Sequence, residues 1–285
     1  RDPARYAYAG EGFRRQEEED PHRPAEFLQA GFELFGAQDP AQAEAEVFAT
    51  VAGALRGLPL RAATGDIGLL SAAVDGLSTT AIRKAALRRH LWRPRRFRAL
   101  IDRYAGRAPA PEGRAAMLAS ADPFAGAGPA IGLRSRAEVE ARIAALREDA
   151  AAPPIPEGQV ALIDALLAVA EPAPRALAEL RAMAGEAPVL APAADRLARR
   201  LDALAARGVA VDALAFEGSF GRTTLEYYDG FVFAFRAEGR PDLPPIASGG
   251  RYDALTRVLG RGREVPAVGG AIRAGLSAWL REGAR

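Results

Sequence analysis

The sequence predicts an α+β fold in which one sheet is assembled from distant parts of the chain. Apolar and aromatic runs with a period of two residues, typical of strands, occur near the N-terminus and again after residue 209. Between them, residues 68–207 show helical periodicity broken by Pro and Gly. Strands and helices that are segregated along a chain are typical of α+β proteins.

The composition is that of an ordinary globular protein of one large or two modest domains. The chain has 285 residues, of which 49% are hydrophobic and 26% are charged. No apolar run reaches membrane-spanning length, and the N-terminus has no apolar segment of the kind found in secretory signals. We therefore expect a cytoplasmic protein.

The residue types exclude several kinds of site. There is no cysteine, so disulfides, thiolate nucleophiles and thiolate metal sites are excluded. The two histidines, His22 and His90, are too few and too far apart for a histidine metal site or a catalytic triad, and we expect both at the surface. The net charge is only +2, and Lys84 is the only lysine, so charge implies no polyanionic partner. We expect no metal and no cofactor.

Two antiparallel strands are predicted at residues 6–15 and 26–35, joined by a charged loop that contains prolines. Side chains alternate along a strand, so the second strand places five residues on one face: Phe27, Gln29, Gly31, Glu33 and Phe35. Polar groups among aromatic ones need partners, because an unmet buried polar group costs about 1–3 kcal/mol. This face is therefore either exposed to solvent or the floor of a pocket that binds a polar ligand.

A helix is predicted from Pro40 to Gly57 with Asp39 as its N-cap, followed by a strand at 58–64 and a turn at 65–68. Eight further helices are predicted at 69–77, 80–91, 94–104, 114–120, 135–150, 160–169, 175–184 and 193–207. The sequence of this middle region contains no cluster of residue types that are typical of a catalytic or binding site. We interpret it as a helical insertion, roughly 68–207, within a single domain that spans residues 1–285.

The C-terminal part returns to strands. They are predicted at 209–216, at 225–228 and 231–235 around the hairpin dipeptide Asp229-Gly230, near residue 246, and at 266–272 before a helix at 274–280. The strand near 246 runs into a predicted turn at Gly249-Gly250 and then a helix, whose buried face is predicted to include Tyr252, Val258 and Leu259. Paired glycines let a backbone approach a ligand or another strand. Tyr252 then lies either at the rim of a cleft or in the core.

Five segments in this order resemble the motifs of the class II catalytic domain of histidyl-tRNA synthetase. They are residues 13–16 (Phe-Arg-Arg-Gln), 27–36 (Phe-Leu-Gln-Ala-Gly-Phe-Glu-Leu-Phe-Gly), 225–228 (Leu-Glu-Tyr-Tyr), 248–253 (Ser-Gly-Gly-Arg-Tyr-Asp) and 266–269 (Pro-Ala-Val-Gly). The resemblance spans the chain, with the helical middle less alike. It implies an antiparallel sheet flanked by helices, with a histidine pocket on its face.

The resemblance also implies site residues. It assigns histidine binding to Gln29, Glu33, Tyr227, Tyr228 and Tyr252, with Arg14, Gly249 and Gly250 as possible pocket-lining residues. A carboxylate and phenol hydroxyls suit an imidazole, whose two nitrogens can donate or accept hydrogen bonds.

Two departures from the family indicate that adenylation is lost. The family places an arginine three residues before the acidic residue of its Asp-Tyr-Tyr element, where this chain has Thr223, and another after its last motif, where this chain has Leu276. Arg222 is one residue out of register, which turns a strand side chain to the opposite face, and Arg273 is also out of register. Removing one charge-stabilising donor typically costs about 10²–10³ in rate. We expect no catalytic residue.

The chain stops at Arg285, before the position of an anticodon-binding domain, so we expect no tRNA partner. This combination resembles the synthetase-like regulatory subunit of ATP phosphoribosyltransferase. The resemblance implies a hetero-oligomer with a short catalytic subunit in the first step of histidine biosynthesis, and feedback inhibition by L-histidine as effector. Such a coupling is typically worth about 1–3 kcal/mol.

Two other interpretations stay open. One is a working histidyl-tRNA synthetase, and the other is a synthetase-like module that binds another ligand or partner. In the family, the first motif, which forms the dimer interface, and a loop that holds the ligand's α-amino group lie upstream of the first strand, whereas this sequence begins at Arg1. Either the chain is a fragment or these elements were lost, and their loss would affect both dimerisation and histidine affinity.

Overall fold

An eight-stranded sheet is the centre of the fold. The computed structural model describes residues 3–15, 23–109, 111–129, 131–223 and 226–283. The strands are β1 (Ala4–Phe13), β2 (Glu26–Phe35), β3 (Leu60–Asp66), β4 (Ala170–Pro172), β5 (Ala215–Glu217), β6 (Phe231–Ala237), β7 (Ala247–Arg251) and β8 (Ala267–Arg273). Their order across the sheet is β1-β2-β8-β7-β6-β3-β5-β4.

All neighbouring strands pair antiparallel except β3 and β5, which are parallel. The predicted α+β class is therefore confirmed, with a mixed rather than purely antiparallel sheet. The middle of the sheet joins β2 to β8 and β7, which come from opposite ends of the chain. This crossover brings the N-terminal and C-terminal sequence motifs onto adjacent strands.

Helices pack against one face of the sheet and around one end of it. They are α1 (Pro40–Ala54), α2 (Ile67–Asp75), α3 (Ala81–Arg89), α4 (Pro94–Tyr104), α5 (Arg114–Ala119), α6 (Arg136–Ala151), α7 (Glu157–Ala168), α8 (Ala173–Glu186), α9 (Ala191–Ala205), α10 (Asp253–Leu259) and α11 (Ala274–Gly283). All eight helices predicted between residues 69 and 207 are present. Their ends lie within a few residues of the predicted ones, because Pro and Gly separate them in the sequence.

The core lies between the sheet and α1, α2 and α9. The ring of Phe48 on α1 packs against the rings of Phe231, Phe233 and Phe235, which share one face of β6, at centroid distances of 6.3, 5.3 and 5.1 Å. The helices of the middle region contribute buried side chains to the same hydrophobic cluster. The predicted insertion is thus packed into the core that supports the sheet.

Two aspartates cap helices. Asp39 accepts hydrogen bonds from the backbone nitrogens of Ala41 and Gln42, as predicted for the N-cap of α1. The predicted turn at 65–68 is wrong, because β3 continues to Asp66 and α2 begins at the next residue. The Asp66 carboxylate accepts a hydrogen bond from the backbone nitrogen of Gly68, and this cap replaces the turn.

Two C-terminal predictions are wrong. Residues 226–228 form no strand, so there is no hairpin around Asp229-Gly230; Leu225 lies outside the described residues. β6 instead pairs with β3 and β7. Asp229 accepts hydrogen bonds from the backbone nitrogens of Asp253 and Ala254 at the start of α10, and this tertiary contact overrides the local turn signal. Of the predicted strand at 209–216, only the last two residues belong to a strand, β5, and Val211–Ala213 form a short 3₁₀ turn.

The glycine pair does not form the predicted turn, since Gly249 and Gly250 lie inside β7. Gly249 faces the core, where a Cβ atom would overlap the Phe233 ring, and Gly250 lies beneath the Tyr228 ring. The buried face predicted for α10 is also wrong at its end, where Val258 and Leu259 are 74% and 75% exposed.

Within the described ranges, none of the helices has the length and apolar character needed to cross a membrane. Among the same residues, no group of three or more histidine, aspartate or glutamate side chains is arranged to hold a metal ion. His90 is half-buried at the end of α3, where burial lowers its pKa, and His22 lies outside the described residues.

Candidate functional site

A cavity of about 420 Å³ opens on the face of the sheet opposite the core. Its floor is formed by β2, β8 and β7, and Tyr252 closes one side. Six of the eight residues expected at the site line it: Arg14, Gln29, Glu33, Tyr227, Tyr228 and Tyr252. We call this space the Glu33 cavity. Of the two interpretations of the β2 face, the structure shows the pocket floor.

Glycines make room for the polar side chains of this floor. In the antiparallel register, Gly269 on β8 lies opposite Glu33, and a Cβ atom there would overlap the Glu33 carboxylate. Gly31 on β2 lies opposite Tyr8 on β1, and a Cβ atom there would overlap the Tyr8 ring. The two positions therefore require glycine for the cavity to keep its shape.

Glu33 is the only acidic side chain among the described residues that line the cavity. The Tyr252 hydroxyl donates a hydrogen bond to its Oε2 atom at 2.5 Å. Burial raises the pKa of Glu33, and this hydrogen bond opposes the rise. Among the described residues no cation forms an ion pair with Glu33. A half-buried carboxylate of this kind favours a ligand that brings a positive charge or a hydrogen-bond donor.

Three tyrosines form the wall above Glu33. The ring centroids of Tyr227 and Tyr228 are 4.6 Å apart, and the Tyr227 ring meets the Tyr252 ring edge-on at 5.8 Å. Burial raises the pKa of each of the three phenols, so all are protonated at neutral pH. Trp92 Nε1 donates a hydrogen bond to the backbone oxygen of Tyr228 at 2.9 Å. This contact holds residues 226–228 in place, although they are not part of a strand.

A buried ion-pair network holds the end of β7, from which Tyr252 projects. Glu44 on α1 accepts hydrogen bonds from Arg251 and Arg200, both at 2.5 Å. Arg200 also donates to Asp66 at 2.7 Å, and Arg251 donates to Asp253 at 3.0 Å. Charges buried in this way need such mutual pairing, since an unpaired buried charge is strongly destabilising. The network ties the end of the central strand β7 and the start of α10 to α1.

Three polar side chains that line the cavity were not assigned to it by the sequence analysis: Tyr8, Ser248 and Arg273. The Tyr8 hydroxyl accepts a hydrogen bond from Gln29 Nε2 at 2.6 Å, so the β1 tyrosine orients the β2 amide. The period-two pattern of β1, which places Tyr8 on the same face as Tyr6, was the available signal. Arg273 could be found only from the pairing of β8 with β2, which the sequence does not specify.

Two expected residues do not line the cavity. Gly249 faces the core, and Gly250 supports Tyr228 from below. Thr223 and Arg222 lie at a separate cavity of about 550 Å³. Arg222 is buried, its Nε atom donates to the backbone oxygen of Leu91 at 2.7 Å, and burial together with Arg98 lowers its pKa to about 10.

Leu276 lies at an adjoining cavity of about 510 Å³, which it shares with Phe27, Leu28 and Trp279. The wall of this space is largely apolar. Arg273 borders both this cavity and the Glu33 cavity.

The lining residues of the Glu33 cavity provide a carboxylate, phenols, an amide and guanidinium groups. They include neither cysteine nor histidine, so the nucleophile–base pairs of triad chemistry are not formed from them. The arrangement is suited to holding a small polar ligand that carries both hydrogen-bond donors and acceptors.

Comparison with known proteins gives one family and a set of relatives. The profile of the family described as histidyl-tRNA synthetase matches residues 1–126 and 134–274. A protein from Brucella anthropi named ATP phosphoribosyltransferase regulatory subunit is 32% identical over 292 residues, which cover 95% of this chain and 75% of that protein.

Solved structures share the fold. A structure from Bacillus halodurans, described as an ATP phosphoribosyltransferase regulatory subunit/histidyl-tRNA synthetase, superposes with a TM-score of 0.61 at 22% identity over 97% of this chain. The match spans 58% of that longer structure. A histidine–tRNA ligase subunit from Alicyclobacillus acidocaldarius superposes with a TM-score of 0.51 at 24% identity, over 99% of this chain and 70% of that one.

Proposed function

We propose that this chain, which belongs to the histidyl-tRNA synthetase family and within it to the ATP phosphoribosyltransferase regulatory subunits, is a non-catalytic, histidine-sensing subunit of that enzyme. Its partner is the short catalytic subunit that carries out the first step of histidine biosynthesis. The observation that carries the proposal is the Glu33 cavity, because Gln29, Glu33 and three tyrosines line it, whereas Thr223 and Leu276, at the positions of two adenylation arginines, lie outside it.

The cavity supports a histidine ligand by its chemistry. Glu33 accepts a hydrogen bond from Tyr252 and can accept a second from an imidazole N–H or an ammonium group. The protonated phenols of Tyr227 and Tyr228 can donate to an imidazole nitrogen. Tyr227, Tyr228 and Tyr252 also provide ring faces and edges against which a flat ligand can pack.

The placement of the neighbouring residues supports the loss of adenylation. Thr223 cannot supply a charge, and Arg222 is engaged with Leu91 and with the Phe97 ring at 4.9 Å. Leu276 cannot supply a charge either, and the described lining of its cavity is largely apolar, with Glu26 and Arg273 as the charged side chains. Without an aminoacyl-adenylate there is nothing to transfer to tRNA, so tRNA is not among the proposed partners.

The regulatory role follows from linkage. If histidine binds one conformation of the hetero-oligomer more tightly than the other, it shifts the population toward that conformation, and couplings of this kind are worth about 1–3 kcal/mol. We place the difference in histidine affinity between the two conformations at the Glu33 cavity, and the catalytic reaction in the catalytic subunit. The proposal also places the complex in the cytoplasm, with the other biosynthetic steps.

Reconstitution tests this proposal. The purified chain is added to a short ATP phosphoribosyltransferase catalytic subunit, and the rate is measured with and without L-histidine. We expect the rate to rise on addition of the chain and to become sensitive to histidine. If the rate does not change when this chain is added in excess over the catalytic subunit, the proposal is contradicted.

The alternative of a working histidyl-tRNA synthetase has its own test. Histidine-dependent exchange of pyrophosphate into ATP reports aminoacyl-adenylate formation directly. We expect no exchange above background, because the positions of Thr223 and Leu276 lack the charge that stabilises the transferring phosphate. Robust exchange would refute the non-catalytic assignment.

A further inference from the structure

Arg273 is the last residue of β8 and projects over the floor of the Glu33 cavity. It lies opposite Gln29 in the antiparallel register, so the two side chains are neighbours on the same face of the sheet. Its guanidinium lies 5.0 Å from the centroid of the Phe27 ring. The side chain is half-buried, and in the described part of the chain no carboxylate forms an ion pair with it.

Among the described residues, two other arginines repel the charge of Arg273, while Glu26 lines the adjoining cavity. Burial lowers the pKa of Arg273, and Arg14 and Arg23 lower it further by repulsion. Arg14 lines the same cavity, and its charge opposes the rise that burial causes in the pKa of Tyr227. A half-buried cation beside other cations is stabilised when an anion is added.

The cavity is therefore electrostatically divided. Glu33 and Tyr252 occupy one end, opposite Gly269, whereas Gln29 and Arg273 lie four residues further along the paired strands. Four residues of strand span about 13 Å. Long arginine side chains reach back over part of this distance, which leaves a space for a small molecule with a cationic or donor group at one end and an anionic group at the other.

We propose that Arg273, assisted by Arg14, binds the α-carboxylate of the amino acid held by Glu33. This inference rests on the proposed histidine-sensing function and assigns to it a residue that the motif resemblance does not include. Guanidinium groups bind carboxylates through two parallel hydrogen bonds, and the amide of Gln29 provides a further donor beside Arg273. Tyr8 holds that amide through the hydrogen bond to its hydroxyl.

The consequence is a requirement for a free carboxylate. A compound with the imidazole and the amine but without the carboxylate, such as histamine or the amino alcohol histidinol, leaves Arg273 beside Arg14 with no counter-charge. Such a site binds an analogue without the carboxylate much more weakly, because the half-buried Arg273 guanidinium then stays unpaired. The sensor then responds to the amino acid rather than to the amino alcohol or the amine.

Calorimetric titration of the full chain tests this assignment with three ligands: L-histidine, histidinol and histamine. Competition against L-histidine gives the affinities of the weaker ligands. We expect Arg273→Leu to weaken L-histidine binding by about 10- to 100-fold and to leave the affinities of the two analogues unchanged. Arg273→Lys keeps the charge and should recover part of the loss.

Arg236→Leu is the matched control, because Arg236 is an exposed arginine on the same face of the sheet and lies outside the Glu33 cavity. It should leave all three affinities as they are in the unmodified chain. Thermal unfolding of each variant shows whether the fold is kept.

The outcomes separate the two proposals. If the unmodified chain binds no L-histidine, both the sensing function and this assignment fail. If it binds L-histidine but Arg273→Leu binds it equally well, or loses affinity for all three ligands alike, the carboxylate assignment fails and the sensing function stands. A selective loss of L-histidine affinity supports both.

Discussion

The Tyr252 hydroxyl donates a 2.5 Å hydrogen bond to the Oε2 atom of Glu33, joining the residue after β7 to the C-terminal part of β2. The two residues are 219 positions apart in sequence, and β8 lies between β2 and β7 in the sheet. Their contact exists only because β8 inserts between β2 and β7 and brings a glycine to the point where the carboxylate needs space. The candidate site depends on this pair.

The pair should behave as one unit in ligand binding. Glu33→Gln and Tyr252→Phe each remove part of the same hydrogen-bonded group, and we expect each to weaken L-histidine binding by about tenfold or more. In the double variant the losses should not add, with an interaction free energy of about 0.5–3 kcal/mol. Calorimetry on the four proteins completes the cycle. Strict additivity would mean that the ligand does not contact this pair.

Glu33 should also leave a signature in the pH dependence of stability. Burial raises its pKa, so the folded chain binds this proton more tightly than the unfolded chain does. The stability from this group is therefore present below the ordinary pKa and is lost as pH rises through the raised pKa. Without ligand, the melting temperature of Glu33→Gln minus that of the unmodified chain should increase between about pH 4 and about pH 7.

The comparison of the two proteins isolates Glu33, because both retain Asp229, another carboxyl whose pKa burial raises. A difference in melting temperature that stays constant across this pH range would show that the Glu33 carboxyl is not desolvated. The site would then be more open than the structure indicates.

Gly269→Ala should weaken ligand binding by a steric effect alone, because it changes no charge or hydrogen-bonding group of the site. The added Cβ would overlap the Glu33 carboxylate, which must then leave its position opposite β8. We expect L-histidine affinity to fall by about tenfold or more, together with a loss of stability of about 1–3 kcal/mol. Gly275→Ala is the control, because a Cβ on that α11 residue meets nothing within 4 Å. Equal affinities in the two variants would contradict the arrangement of the floor.

The period-two pattern of β2 was enough to place Gln29 and Glu33 on one face and to identify that face as unusual. The bounds of β2 and α4 also follow from sequence, because charged or proline-containing segments flank them. What sequence could not give is the strand order. Without the β2-β8 pairing, neither the role of Gly269 nor the position of Arg273 beside Gln29 can be deduced.

The wrong predictions share a physical cause. Asp229-Gly230 is a strong local turn signal, but the Asp229 carboxylate is used to cap α10, and this contact fixes the backbone differently. Gly249 and Gly250 stay in a strand because the Phe233 and Tyr228 rings occupy the space above and below them. In both cases tertiary packing decides a local conformation that propensity alone leaves open.

The buried network around Glu44 should matter for stability rather than for ligand chemistry. Glu44→Ala leaves Arg200 and Arg251 without their shared carboxylate, and removing one partner of a buried ion pair costs about 3–5 kcal/mol. Urea unfolding measures this loss. Glu140→Ala, which breaks the exposed pair with Arg136 on α6, should cost only about 0.3–0.5 kcal/mol. Similar costs for the two variants would contradict the role given to the network.

The most direct test of the sensor is the histidine inhibition of a complex between the short ATP phosphoribosyltransferase catalytic subunit and this chain. Two complexes are compared, one with the unmodified chain and one with Glu33→Gln. We expect both to be active without histidine, and the concentration of L-histidine that halves the rate to rise by about tenfold or more in the Glu33→Gln complex. Half-inhibition at the same concentration in both complexes would place the sensor outside the Glu33 cavity and contradict the proposed function.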